Sequence, residues 1–278
     1  MHDTLQQIDL VYRMVARFPE HLQLATSSDD VWKQYSTSDR ISSLMGAEGL
    51  HQIGNSASVI RMYHRLGVRY MTLTHECHNR YADSCTPQLP LHNGLSKAGT
   101  AMLHEMNRVG IIIDLSHTSV ETMHAALNIT FAPVIFSHSS SFAICPHPRN
   151  VPDEVLFGLK QNGGVIMITF VPEFTNCQDP DGASLTDVVR HIEYVGSLIG
   201  YDHVGIGADF DGMPSGPKGL EDVSKYGDLL HALRRDISRQ DLQNIIGGNV
   251  LRVLRQAEIV SEQMASFEPL EDQVKPLF

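Results

Sequence analysis

The sequence predicts an α/β fold: a (β/α)8 barrel of the TIM type that lacks its first strand. Three observations lead there. Short apolar runs alternate with helix-period patterns along most of the 278 residues, and such alternation builds a parallel sheet. Several runs are continuous stretches of Ile, Val and Leu, such as GIIID and APVIF, as expected of strands buried on both faces. Four runs stop on a residue able to hold a metal or move a proton: Glu48, His117, His138 and Asp209. A barrel of this type presents its chemistry at the C-terminal ends of its strands.

The elements follow in order. Residues 4–17 carry an amphipathic helical pattern, read as a surface helix on the barrel; the segment lacks the charged start and unbroken apolar stretch of a signal peptide. Strands are expected at 21–26, 41–47, 68–74, 111–116, 133–137, 164–170 and 203–208. Helices are expected at 28–36, 55–66, 96–108, 119–127, 151–161 and 184–199. Ser96 and Ser119 are placed to cap the helices that follow them, and Asn93-Gly94 and Gly163-Gly164 mark turns. Loops 77–94 and 209–227 each follow a strand and so belong to the active face. A further helix is expected over 238–257, and 258–278 reads as an irregular polar tail, leaving one barrel domain over 1–257. Seven strands are counted where a closed barrel has eight. Nothing before residue 21 reads as a strand, so the deficit falls at the start.

Composition narrows the function. Net charge is −11 with no basic cluster, which excludes a nucleic-acid partner. No run approaches membrane-spanning length, and without a signal peptide the expected location is cytoplasmic. Cys77, Cys85, Cys145 and Cys177 show no C-x-x-C spacing, which argues against cysteine-held zinc; whether any two of them bridge is open.

The strand ends carry the chemistry and make this a barrel of the metal-dependent hydrolase kind. Glu48 lies between Ala47 and Gly49 with little steric cover, and a carboxylate there can ligate zinc. His117 and His138 close successive apolar strands, which puts two imidazoles on one rim, a donor type suited to zinc. Asp209, in ADFDG, can accept a proton and return it to a leaving amine. Asp114, three residues before His117, is expected to face the other side and lie deeper, and reads as support or packing. His75 closes MTLTH and is a candidate to hold an oxyanion. Arg149, in HPRNVPD, can grip a carboxylate by its planar fork.

At these residues the chain resembles the membrane dipeptidase (renal dipeptidase) family of zinc hydrolases, and suggests its fungal secondary-metabolism type. The likeness runs from about residue 3 to 257 through GAEGLHQI, VRYMTLTHECHNRYADSC, GIIIDLSHTSVETM, APVIFSHSSSFAICPHPRNVPDEVL, GIGADFDG and GLEDVSKY. The resemblance implies hydrolysis of dipeptides with free amino and carboxyl termini, Cys-Gly and its S-conjugates included. It implies a homodimer, and two Zn2+ ions bridged by Glu48, with His117 and His138 on the second. It further implies that His75 contacts substrate near the scissile carbonyl, that Arg149 binds its carboxylate, and that Asp209 meets its amino group and shuttles protons. Cys145 and Cys177 match a pair disulfide-bonded in secreted relatives, and Cys77 matches a bonded cysteine whose partner lies in the family's N-terminal region. The family's H-x-D strand, which holds the first zinc, has no counterpart here. The expectation is therefore a shortened form whose Glu48, His117 and His138 suit one zinc, with a catalytically impaired barrel as the alternative.

Overall fold

The computed structural model describes residues 1–272. Its strands pair in parallel and in sequence order. β1 (Leu22–Leu24) pairs with β2 (Ile41–Ser43). A second sheet runs β3 (Met45–Glu48), β4 (Val68–Thr72), β5 (Ile112–Asp114), β6 (Ile135–Ser139), β7 (Val165–Ile168) and β8 (Val204–Ile206). The run expected as one strand over 41–47 is thus two, parted at Leu44. Its first half serves β1 and its second half serves β4, with a register shift between Met45 and Gly46. Gly46 permits the shift: a Cβ there would lie 2.1 Å from the Tyr70 ring. The run at 21–26 accordingly lies with β2 in a separate two-stranded sheet, and among the described residues no pairing links β1 to β8.

Helices fill the crossovers close to where the periodicity puts them: His2–Arg17, Ser28–Thr37, Ala57–Arg65, Lys97–Val109, Val120–Ile129, Asp153–Asn162 and Leu185–Ile199. Ser96 Oγ accepts from Gly99 N and Ser119 Oγ from Thr122 N, each satisfying a donor that a helix start leaves unpaired. Gly163 ends its helix in the left-handed conformation, φ 77°, which glycine adopts without a side-chain clash.

Strand alternation sorts the core into two. Met71, Ile113, Phe136, Ile166 and Val204 belong to the large cluster packed under the helices. Tyr70, Ile112, Ile135 and Met167, one residue out of step, turn into the barrel with Leu44, because successive side chains on a strand face opposite ways. Two positions further along their strands come Thr72, Asp114 and Ser137, all buried. A polar layer therefore lies directly above an apolar one.

The last helix closes the other end. The helix expected over 238–257 begins as Arg239–Gln243, passes through a wider turn at Asn244–Gly248 and runs on as Asn249–Gln263. Asn249 Nδ2 donates to the carbonyls of Tyr201 and Val204, both at 2.8 Å, where β8 begins. Arg252 Nη1 reaches Gly163 O at 2.6 Å, before β7, and Ser261 Oγ reaches Arg108 O at 2.8 Å, before β5. Val253, Leu254 and Ala257 pack beneath the barrel interior. Of the tail expected from 258, residues up to Gln263 are helical and 264–272 irregular; 273–278 lie outside the described residues. Leu270 N donates to the buried Glu105 at 3.0 Å, and Asp272 accepts from the amides of Ala57 and Ser58 at a helix start.

Candidate active site

Glu48, His117 and His138 come from three strand ends and meet at one point. Glu48 Oε1 lies 3.0 Å from His117 Nε2 and 3.1 Å from His138 Nε2. The two imidazole nitrogens are themselves 3.0 Å apart. Tetrahedral zinc, at about 2.0–2.1 Å from each donor, holds its ligand atoms about 3.3 Å apart, so the donor set fits such an ion. Glu48 Oε2 faces the other way, 3.8 Å from His75 Nε2, and Glu48, His75 and His117 offer ligand atoms all within 4.8 Å of one another. The two groupings share Glu48 and His117; the one with His138 is the tighter, by its 3.0–3.1 Å separations.

Neither His117 nor His138 reaches this point by plain strand geometry. His117 sits at φ 65°, a left-handed conformation that costs a non-glycine residue about 1–2 kcal/mol. Strict alternation from Ile135 would turn His138 to the outer face, but the register of β6 against β7 shifts between Phe136 and Ser139. Both Ser137 and His138 then line the barrel interior.

Electrostatics follow from burial and contact. Burial pushes the Glu48 carboxyl up, but the imidazoles of His117 and His138 beside it prevail and hold it well below the usual carboxylate range. His117, buried, is pushed down to about 4, partly offset by its bond to Glu48. Asp209 is raised by burial, against the lowering influence of His138, Arg149 and His75. It follows β8 at φ 66°. Gly207 lets the backbone close in just before it, since a Cβ there would stand 2.0 Å from Ser137 O.

Arg149 arrives on the loop after β6. That loop folds back through a bridge between Ser141 and Val151, and Asn150 Nδ2 ties it to Cys145 O and Phe174 O. Cys145 and Cys177 are bonded, with Cα atoms 5.5 Å apart; Cys77 and Cys85 are free. Arg149 is buried; its guanidinium donates to His138 O at 3.1 Å and lies over the Phe174 ring at 5.1 Å. Its Nε has no partner among the described residues, and burial pulls the guanidinium's pKa down. All six residues singled out by the sequence therefore gather at the C-terminal rim. Below it a cavity of about 350 Å3 descends between Tyr70, Ile112, Ile135 and Met167 to Leu254 of the last helix.

Two participants escaped sequence reasoning. Glu76 Oε1 stands 3.5 Å from His117 Nδ1, and its only sequence signal is adjacency to His75. Ser137, next to His138, bonds the imidazole Nδ1 at 2.8 Å; nothing in the sequence separates it from the serines that follow.

A parallel α/β barrel with imidazoles and carboxylates collected on its C-terminal rim is of the metal-dependent hydrolase class. Within that class the chain belongs to the membrane dipeptidase family, peptidase family M19, which it matches over residues 1–268. It is 61% identical over 280 residues to dipeptidase aclJ of Aspergillus oryzae, covering 100% of this chain and 66% of that protein. The chain thus spans just under two thirds of the length of that relative. Among solved structures it resembles the probable dipeptidase PvdM of Pseudomonas aeruginosa, with TM-score 0.87 and 22% identity over 93% of this chain and 80% of that one. It also resembles a metallo peptidase of Rhodobacter sphaeroides liganded with a phosphinate mimic of L-Ala-D-Ala, with TM-score 0.81 and 25% identity over 90% of this chain and 72% of that one. No helix among the described residues is long and apolar enough to cross a membrane.

Proposed function

We propose that this chain is a zinc-dependent dipeptidase that hydrolyses the peptide bond of dipeptides with free amino and carboxyl termini, Cys-Gly and its S-conjugates among them. One observation carries the reading: Glu48 Oε1, His117 Nε2 and His138 Nε2 converge within 3.0–3.1 Å on the rim that also holds Arg149 and Asp209. Family membership and the dipeptide mimic bound by the Rhodobacter relative support it.

Glu48, His117 and His138 would hold the ion. Zinc would supply Lewis acidity, polarising a scissile carbonyl and acidifying water. Arg149 binds the substrate's carboxylate: a buried guanidinium with an unpaired Nε is completed by a planar anion. A longer peptide has no carboxylate at that distance, which restricts the site to dipeptides. Asp209 meets the free amine; its raised pKa suits a group that takes up a proton and passes it to the leaving amine. His75 donates toward the developing oxyanion.

The test compares metal content with turnover. After chelation, Zn2+ should restore hydrolysis of Ala-Ala and Cys-Gly, and N-acetyl-Ala-Ala should be turned over at least 100-fold more slowly. His138→Ala should lose both zinc and activity. Equal turnover of the acetylated and free dipeptides, or full activity without bound metal, would refute the reading.

A further inference from the structure

Beneath the three donors, Asp114 is fully buried and accepts four hydrogen bonds. Its Oδ1 takes the amides of Ser116 at 3.0 Å and Ser137 at 2.9 Å. Its Oδ2 takes the hydroxyls of Thr72 at 2.6 Å and Ser137 at 2.5 Å. Ser137 Oγ also stands 2.8 Å from His138 Nδ1. Each of these groups has few protons to give, so the directions can be worked out. A carboxylate accepts only, and a serine hydroxyl has one proton and two lone pairs. The proton of Ser137 goes to Asp114, the nearer and charged acceptor. Its oxygen is then left to accept, and the contact with His138 requires a proton on Nδ1. The other ring nitrogen, Nε2, must carry the lone pair.

We propose that Asp114 and Ser137 are positioning residues that act as a proton-direction relay. They lock His138 as the Nδ1–H tautomer, so that Nε2 presents its lone pair to the point shared with Glu48 and His117. The inference rests on the reading of Glu48, His117 and His138 as a zinc donor set, and it adds what orients one of them. The backbone supports the same orientation: Ser116 Oγ accepts from His138 N at 3.0 Å, and Arg149 Nη2 holds His138 O at 3.1 Å. The ring is therefore fixed from its amide, its carbonyl and its Nδ1. Partners of this kind, one bond removed from a ligand, change metal affinity by about 10- to 100-fold when lost.

Asp114→Asn is the informative change because it keeps the shape and reverses the two bonds with hydroxyls. The amide oxygen can still accept from the two backbone N–H groups. Its NH2 then donates to the hydroxyls of Thr72 and Ser137, both of which can accept. Ser137 then gives its proton to His138 Nδ1 at 2.8 Å, nearer than Ser116 Oγ at 3.4 Å, which moves the ring proton to Nε2 and aims an N–H at the metal position.

The experiment uses the 278-residue chain with 15N-labelled histidine. Two-bond proton–nitrogen correlations on the metal-free protein read the His138 tautomer, and competition with a chromophoric chelator reads Zn2+ affinity. Wild type should show His138 as Nδ1–H. Asp114→Asn should show Nε2–H and bind Zn2+ about 10- to 100-fold more weakly. Ser137→Ala, which only deletes the hydroxyl, should lose the tautomer lock with a similar loss of affinity, and it decides the matter alone if Asp114→Asn does not fold. His138→Ala separates the two levels. If it loses Zn2+ while both relay variants keep wild-type affinity and the Nδ1–H tautomer, the relay is overturned and the donor set stands. If it binds Zn2+ as wild type does, the donor set falls, and the relay with it.

Discussion

Replacing Arg149 by Met should separate stability from activity, and both magnitudes follow from its surroundings. Arg149 is 4% exposed, and its guanidinium makes one good hydrogen bond to His138 O at 3.1 Å and a longer one to Ser139 Oγ at 3.5 Å. Losing the good, charge-assisted bond costs about 1.5–3 kcal/mol. Against that stands a buried charge with its Nε unpaired, whose removal from water carries a penalty of several kcal/mol in the absence of a partner. Methionine fills much of the same volume, so the variant should be as stable as wild type or more so. Under the proposed function the balance reverses in the substrate complex, where a substrate carboxylate would supply the missing partner. Truncating one member of a buried, hydrogen-bonded charge pair costs about 2–5 kcal/mol, or about 30- to 5,000-fold in kcat/KM at 1.36 kcal/mol per tenfold. The assay is a cycle of two enzymes and two substrates, Ala-Ala and its C-terminal amide, with urea unfolding of both proteins. Wild type should lose most of its activity on the amide, and Arg149→Met should lose little more when the amide replaces the acid. If the substitution slows both substrates by the same factor, Arg149 does not contact the carboxylate. Destabilisation by more than about 2 kcal/mol would contradict the account of the unpaired charge.

Two further outcomes test the electrostatics and the backbone. His191 is fully buried, accepts from Ser141 N at 3.1 Å and donates to Thr175 O at 3.0 Å; burial pushes it down to about 4. The unfolded chain therefore binds the proton first, the stability His191 confers is complete above pH 6.5, and about 3 kcal/mol of it should be lost as pH falls to 4. Urea midpoints between pH 7 and 4 should fall less steeply in His191→Gln, and an unchanged slope would exclude His191 as a source. Asp209 holds a left-handed backbone at φ 66°, so Asp209→Gly should leave stability unchanged or raise it by up to about 1 kcal/mol. The same variant should lose at least about 100-fold in kcat; a markedly lower melting temperature would show that the carboxylate holds the turn together.

Much of the barrel is legible along the chain because each strand and helix is a local solution. A parallel strand buried on both faces must read as a continuous apolar run, and β5, β6 and β7 do. Helix starts need a side-chain acceptor, and Ser96 and Ser119 provide it. Strand ends that turn polar mark the rim, which is why Glu48, His75, His117, His138 and Asp209 stand out before any coordinates. Family motifs add Arg149, whose place eleven residues after His138 has no period to reveal it.

What the linear pattern leaves open is register and direction. Whether His138 faces the barrel mouth or the helices depends on a shift of β6 against β7, a property of the pair and of neither strand. Whether residues 41–48 form one strand or two depends on the Tyr70 ring seated over Gly46. The relay beneath His138 exists only because adjacent strands bring Thr72, Asp114 and Ser137 to one level inside the barrel, so three unremarkable polar residues become a single buried network. The residue types at the strand ends and the order in which strands and helices alternate are readable along the chain, because burial and capping act within a few residues. That one carboxylate oxygen faces two imidazole nitrogens is settled by the assembled sheet alone, because contacts between distant strands depend on how the sheet closes around them.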